Sequence, residues 1–335
     1  MEYRKLGNSG LKVSTICLGA MMFGDRTDHA EATRIVDSAR AAGVNFIDTA
    51  DQYAKGESER AVGKLVAADR NWWVVATKLG NPMGKGPNER GLSRAWMMRA
   101  IDASLERLGM DWVDIYYLHK PDADTPLEET LTAMSEVIAS GKVRYFGLSN
   151  YRGWQIAQIG ELCGKLGVPL PIVSQPYYNA MNRMPEVEVL PPCAHYGMGV
   201  VPYSPLARGV LTGKYLPGQA PADDSRAARK DKRMMETEFR EESMVMAQKI
   251  KAHAEKRGMT AGQFALNWVL NNRLVTSVLA GPRTLQHWTE YLGALGHVFS
   301  AEDEALINSL VKSGHSSTPG YNDPGYPITG RPTRT

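Results

Sequence analysis

The chain has 335 residues, 43% hydrophobic and 22% charged, which is enough apolar material for a sizeable core. A formal net charge of +3 gives no electrostatic case for nucleic acid or a membrane surface as a partner, and no run approaches the roughly eighteen apolar residues of a membrane span. Residues 1–5 carry no apolar signal-like segment, and Cys17, Cys163 and Cys193 offer neither a disulfide framework nor metal-ligand spacing, so a reduced cytoplasmic protein without a bound metal is expected.

Residues 3–13 read as two short strands around the turn Gly7-Asn8-Ser9-Gly10. A core strand over 15–18 ends at Gly19. Asp28 followed by Glu31 is a helix-start signal; Ala32, Ile35, Val36 and Ala39 share one face, and Gly43 stops the helix. A strand at 46–48 precedes a helix over 58–68, and a third strand covers 74–77. After a glycine- and proline-rich loop, a helix opens near Ser93 with Met97, Ile101, Leu105 and Leu108 along one side. The fourth strand is 113–118. Thr125-Pro126-Leu127-Glu128 reads as a capping box with proline at the first helical position, closed by Gly141.

Strand five, 143–148, leads into Ser149 and Asn150; strand six, 172–174, into Gln175; strand seven, 199–202, into Tyr203. Residues 207–241 are mixed in charge, contain glycine and proline, and are long for a connection, which marks them as functional or mobile. Helices over 242–257 and 261–271, a strand over 277–279 ending at Gly281, and helices over 285–295 and 301–312 follow. The tail, 313–335, is expected to lack regular structure.

Eight strand-then-helix units without a compositional break predict one domain over 1–335, a (β/α)8 barrel with an N-terminal β-hairpin and long loops at its C-terminal face. A doubly wound dinucleotide domain would need G-x-G-x-x-G after its first strand, where this chain has Gly19-Ala20-Met21-Met22-Phe23-Gly24. Gly84-Lys85-Gly86 and the stretch from Gly209 to Lys214 are incomplete phosphate-loop patterns.

Asp48, Lys78 and His119 each close an apolar run, and Tyr53 follows Asp48 in the next loop. Singly, a solvated strand end, a helix cap or ordinary packing explains each of them. Together, on parallel barrel strands, they would meet at the C-terminal ends, where active sites of this fold lie. A tyrosine hydroxyl ionises near ~10. A neighbouring ammonium is expected to lower that value and make Tyr53 a workable general acid and base. Asp48 would pair with Lys78, and His119 would donate a hydrogen bond to a substrate oxygen. The set suits protonation of a carbonyl oxygen but holds no hydride, which implies a nicotinamide cofactor. Met21, Met22, Phe23, Trp72 or Trp73, Met83 and the tail from Tyr321 to Tyr326 are candidates to line the pocket. The seven histidines show no paired ligand spacing that would favour a metal-dependent hydrolase.

The stretch from Phe46 to Tyr53, Lys78 with its strand, and Leu118-His119 resemble the catalytic tetrad of the aldo-keto reductases, Asp48, Tyr53, Lys78 and His119. Residues 88–94, 121–130 and 204–209 are similar to the bacterial and potassium-channel β-subunit-like branch. The resemblance implies reduction of an aldehyde or ketone, with NADPH extended across the strand ends and Gly19, Met21 and Asp48 beside it. It implies that Ser149, Asn150 and Gln175 hold the nicotinamide carboxamide, with Tyr203 stacked beneath the ring. Ser204, Pro205, Leu206, Arg208 and Gly209, with Lys214 and Arg226, would face the pyrophosphate as a clasp. Gly281 and Arg283 would receive the 2′-phosphate. The family has glutamine and asparagine where this chain has His287 and Tyr291, while Glu290 matches, so strict preference for NADPH over NADH is left open. Channel β-subunits of this branch keep barrel and cofactor as regulatory partners but carry asparagine in place of His119, and that role is the alternative reading. The branch it resembles often assembles, so a homo-oligomer is one reading and the oligomeric state is left open.

Overall fold

A computed structural model describes residues 1–223, 225–327 and 329. In chain order the elements are β1 (Tyr3–Lys5), β2 (Lys12–Ser14), β3 (Ile16–Gly19), α1 (His29–Ala41), β4 (Phe46–Asp48), α2 (Glu57–Val66), β5 (Val74–Leu79), α3 (Arg94–Leu108), β6 (Val113–Leu118) and α4 (Leu127–Ala139). They continue as β7 (Val143–Ser149), α5 (Gly153–Leu166), β8 (Val173–Gln175), α6 (Pro185–Glu188), α7 (Leu190–His195), β9 (Gly199–Val200), α8 (Lys232–Thr237), α9 (Glu241–Lys256), α10 (Ala261–Asn271), β10 (Val278–Ala280), α11 (Leu285–Ala294) and α12 (Ala301–Leu310).

One compact unit comprises Met1–Pro176, Glu188–Tyr203 and Asn272–Leu292. Its eight parallel strands run in the order β10-β3-β4-β5-β6-β7-β8-β9. The sheet closes on itself through a Val200–Val275 bridge and the bonds Thr276 N to Val200 O (2.8 Å) and Leu279 N to Pro202 O (3.0 Å). This is the (β/α)8 barrel expected. The β1–β2 hairpin contributes Leu6, Leu11 and Val13 to the same core as Cys17, Phe46, Val74, Ile115 and Val173. Gly7 makes that docking possible: a Cβ there would lie 2.4 Å from the Ile172 carbonyl oxygen, and its φ of +57° suits glycine. Gly147 plays a similar part inside the barrel, where a Cβ would meet the Tyr117 ring at 2.6 Å.

Local signals account well for the helix starts. Asp28 accepts from Glu31 N and caps as expected, Ser93 accepts from Trp96 N where a helix start was expected, and the predicted faces of α1 and α3 are buried. The Thr125 capping box does not form. The Thr125 hydroxyl instead donates to Asp122 Oδ2 (2.7 Å), Pro126 occupies the cap position, and its carbonyl receives Glu129 N and Thr130 N. Helix α5 was missed by the sequence patterns, although Ile156, Ile159 and Cys163 have helical spacing and Gly167 stops it. Its interior glycines, Gly160 and Gly164, weaken the signal.

The second unit comprises Tyr177–Val187, Ser204–Asn271 and Gly293–Thr335. Within it, His253 on α9 meets Asp303 on α12 at 2.7 Å, and Phe264 of α10 packs against Phe299. Residues 207–241 contain a 3₁₀ turn (Ala207–Thr212) and α8. The tail is tied down by contacts within this unit: Ser317 N donates to Met181 O (2.9 Å), Arg233 pairs with Asp323 (2.6 Å), and Arg240 stacks over Tyr321. Residues 328 and 330–335 of the predicted irregular tail lie outside the described residues. No described helix is long and apolar enough to cross a membrane. All three cysteines are buried and unbridged.

Candidate active site

Alternate residues of each barrel strand point inward. Phe46, Val74, Ala76, Ile115, Tyr117 and Val173 fill the interior. The same parity, carried on toward the C-terminal strand ends, reaches Asp48, Lys78, His119 and Gln175. The apolar alternation that builds the core therefore also delivers four polar side chains to one mouth.

Lys78 is fully buried and Asp48 is 1% exposed. The Lys78 ammonium donates to Asp48 Oδ1, to Thr49 O (2.7 Å) and to the Tyr53 hydroxyl (3.5 Å). Asp48 Oδ2 accepts from Gln175 Nε2 at 3.0 Å. Tyr53 opens a 3₁₀ turn (Tyr53–Gly56) in which Ala54 and Lys55 have φ of 48° and 56°. Two consecutive non-glycine residues in left-handed backbone are costly, and such strain clusters at functional sites. The His119 ring sits edge-on to Tyr53, with centroids 5.8 Å apart. The tetrad is thus assembled around one ammonium.

Burial disfavours the Lys78 ammonium, but Asp48 and Tyr53 together outweigh it, and its pKa lies above the ordinary value. Burial raises the Asp48 carboxyl, with Lys78 and Gln175 pulling the other way. Tyr53 departs from expectation. Burial pushes its hydroxyl above 10.0, and the opposing pull of Lys78, partly offset by Asp48 and Asp51, does not reverse this. Burial first, then the Lys78 and Lys120 charges, hold His119 well below its ordinary value, so its imidazole is neutral.

Ser149, Asn150, Gln175 and Tyr203 join the tetrad in one hydrogen-bonded network. Ser149 Oγ donates to Gln175 O (2.9 Å), and Asn150 Nδ2 donates to His119 O (2.9 Å) and Ser149 Oγ (3.1 Å). The Tyr203 hydroxyl donates to Asn150 Oδ1 at 2.8 Å. Asn150 has a φ of 66°, which asparagine tolerates better than most residues. Gly19 pairs in register with Asp48 and faces Gly281, and Met21 is 38% exposed just beyond it. Arg283, with Arg26, Arg34, Asp28 and Glu31, lines an open cleft of about 480 Å3. His287, Glu290 and Tyr291 lie on α11, where the His287 backbone N–H donates to Thr284 Oγ1 at 3.3 Å.

Ser204, Pro205, Leu206, Arg208, Gly209, Lys214 and Arg226 belong to the second unit. There Ser204, Ala207 and Arg208 have positive φ, and Arg208 Nε donates to Thr237 Oγ1 (3.2 Å). Burial and the neighbouring Arg208 charge lower the Arg226 pKa, and Asp231 at 3.1 Å supports it.

For Trp72 or Trp73 the structure favours ordinary packing over a pocket role. They precede β5, at the end opposite Lys78; Trp72 Nε1 donates to Val44 O (2.8 Å) and Arg40 lies over its ring. Phe23 is fully buried. Two polar residues near the tetrad were not singled out from the sequence. Asn81, just past Lys78 and Gly80, lies 3.2 Å from His119 Nδ1. Asp51 is 1% exposed, and no side chain hydrogen-bonds its carboxylate among the described residues. Their signal is position alone: each is a polar residue within three places of a tetrad member in the same strand-end loop.

Burial and the Glu59 charge, with the Gln52 backbone N–H, Arg107 and Lys78 opposing, raise Asp51 to about 7. The folded state therefore holds this proton more tightly than the unfolded chain. The resulting stability is present below the ordinary value of 3.8 and is lost as pH rises through about 7. Asp51→Asn is expected to stabilise the protein by on the order of 1–4 kcal/mol at pH 8 and by much less at pH 4. Denaturant unfolding at the two pH values measures this; an equal effect at both would contradict it.

The sequence model of the Aldo/keto reductase family matches residues 15–312. A probable voltage-gated potassium channel subunit beta of Oryza sativa subsp. japonica is 38% identical over 329 residues, covering 96% of this chain and 100% of its own length. An L-glyceraldehyde 3-phosphate reductase of Escherichia coli O157:H7 is 34% identical over 329 residues, covering 94% of this chain and 93% of its own. An uncharacterized oxidoreductase of Bacillus subtilis is 34% identical over 330 residues, at 95% and 98% coverage.

Proposed function

Because this chain belongs to the aldo/keto reductase family, we propose that it is an NADPH-dependent reductase of aldehydes or ketones in which Tyr53 is the proton donor. One observation carries the reading: a fully buried ammonium, Lys78, bonded to Asp48, reaches the Tyr53 hydroxyl at 3.5 Å with the His119 ring against it. When bound, the nicotinamide supplies hydride to the carbonyl carbon.

The side chains supply the rest. Tyr53 is protonated at neutral pH, as a donor must be, and gives its proton to the carbonyl oxygen. Lys78 stabilises the phenolate left behind, and Asp48 holds Lys78 in place. His119, neutral, donates to the same oxygen and orients it. In the reverse direction Tyr53 acts as the base.

The donor set supports a carboxamide ligand. Asn150 Nδ2 spends both hydrogens on His119 O and Ser149 Oγ, while Oδ1 keeps a second lone pair beside the Tyr203 bond. Gln175 Nε2 keeps a second hydrogen beside its bond to Asp48. An acceptor on Asn150 and a donor on Gln175 thus remain for an amide. Arg283 is the residue we assign to the 2′-phosphate.

The test is oxidation of NADPH, followed by absorbance, across a panel of aldehydes and ketones, with quenching of tryptophan fluorescence reporting cofactor binding. Turnover with some member of the panel is expected. The relative in Oryza sativa favours a second reading, an NADP(H)-binding regulatory subunit. Quenching without oxidation of any substrate would choose that reading, and no quenching would remove both.

A further inference from the structure

We propose that Asn81 is a positioning residue of this site, its side-chain amide donating to His119 Nδ1 and so holding the imidazole in the tautomer that carries its proton on Nε2. The inference rests on the reading that His119 orients a carbonyl oxygen, and it states which ring nitrogen does so.

The two nitrogens are 3.2 Å apart, and among the described residues Asn81 is the hydrogen-bonding partner of the His119 ring. An amide nitrogen only donates, so Nδ1 must accept. A neutral imidazole has one N–H, and the bond made by one nitrogen decides the state of the other. The ring is held on its remaining sides. His119 N donates to Leu79 O at 2.9 Å, its carbonyl receives Asn150 Nδ2 at 2.9 Å, and its ring stands edge-on to Tyr53.

The local sequence explains how Asn81 reaches this place. Strand β5 ends at Leu79, and Gly80 turns the chain with a φ of 125°. Gly91 N closes the loop back onto Gly80 O at 3.3 Å, so Asn81 is the first side chain beyond the turn. The charged and titratable groups acting on the ring are Lys78 on β5, Lys120 beside it in sequence, and Tyr53 against its face. Both lysines oppose an imidazolium, which leaves the choice of tautomer to Asn81.

The experiment combines long-range 1H–15N NMR of the His119 ring in the full-length protein with pH profiles of the Asn81 variants. In the parent protein Nδ1 is expected to be unprotonated and Nε2 protonated. Asn81→Ala should mix the tautomers and lower kcat/KM by about ten-fold. Asn81→Asp is the sharper test, because a carboxylate only accepts. It should move the proton to Nδ1 at high pH and cost about a hundred-fold there, the loss of one donor to the substrate oxygen. It should also raise the His119 pKa, so that falling pH protonates both nitrogens and restores activity. A protonated Nδ1 in the parent, or an Asn81→Asp loss that is equal at every pH, would overturn the proposal. His119→Ala separates the two readings: full turnover in that variant would remove the role of His119 while leaving the tautomer result standing.

Discussion

Tyr53→Phe is expected to lower kcat by about 10²–10⁴-fold while NADPH affinity, read by fluorescence quenching, stays near that of the parent. The substitution removes one oxygen, the one 3.5 Å from the Lys78 ammonium, and leaves the ring that packs against His119. No other described hydroxyl bonds to that ammonium; its remaining partners are Asp48 and the Thr49 carbonyl. A proton donor must hold its proton until the transition state, and burial does this for Tyr53. Lys78 acts at the next moment, when a negative charge appears on the phenolic oxygen. Rates for both proteins under saturating cofactor decide the point, and turnover in Tyr53→Phe within a few-fold of the parent would end the proposed role.

Lys78→Met is the second large effect, and its first consequence is on stability. Asp48 is 1% exposed and would be left with Gln175 as its side-chain partner. Removing one partner of a buried pair typically costs 3–5 kcal/mol, about the loss expected here, because the other charge remains uncompensated. Burial already raises the Asp48 carboxyl, so protonation relieves part of the cost and the loss should be smaller at pH 5 than at pH 8. The double variant Asp48→Asn with Lys78→Met, which leaves no unpaired charge, should recover much of the stability. Unfolding midpoints of the two single variants and the double variant measure the coupling. A single-variant loss below about 1 kcal/mol would mean that water, not protein, solvates Asp48. Activity should be lost in both Lys78 variants, since neither can stabilise a phenolate.

The two predictions draw on different information. That Asp48, Lys78 and His119 share a mouth was legible in the sequence, because each continues the inward parity of an apolar strand. The cap at Asp28 was legible for a similar reason, since donor and acceptor lie three residues apart. Thr125 shows where such reasoning stops. Its local partner was outcompeted by Asp122, a choice among neighbours that a four-residue pattern does not contain. Trp72 and Trp73 precede β5 in the chain and so meet the rim opposite Lys78, which chain order, unlike composition, does indicate.

By itself the sequence determined the barrel, the order of its strands and the identity of the four residues at its C-terminal end, since alternation and strand endings are written within a few residues of chain. The tertiary structure alone decided the sign of the Tyr53 shift, the partner of His119 and the isolation of Asp51. These depend on desolvation and on charges brought together from β4, β5, β6 and their loops. Such sums run over distances in space, and no window along the chain contains their terms.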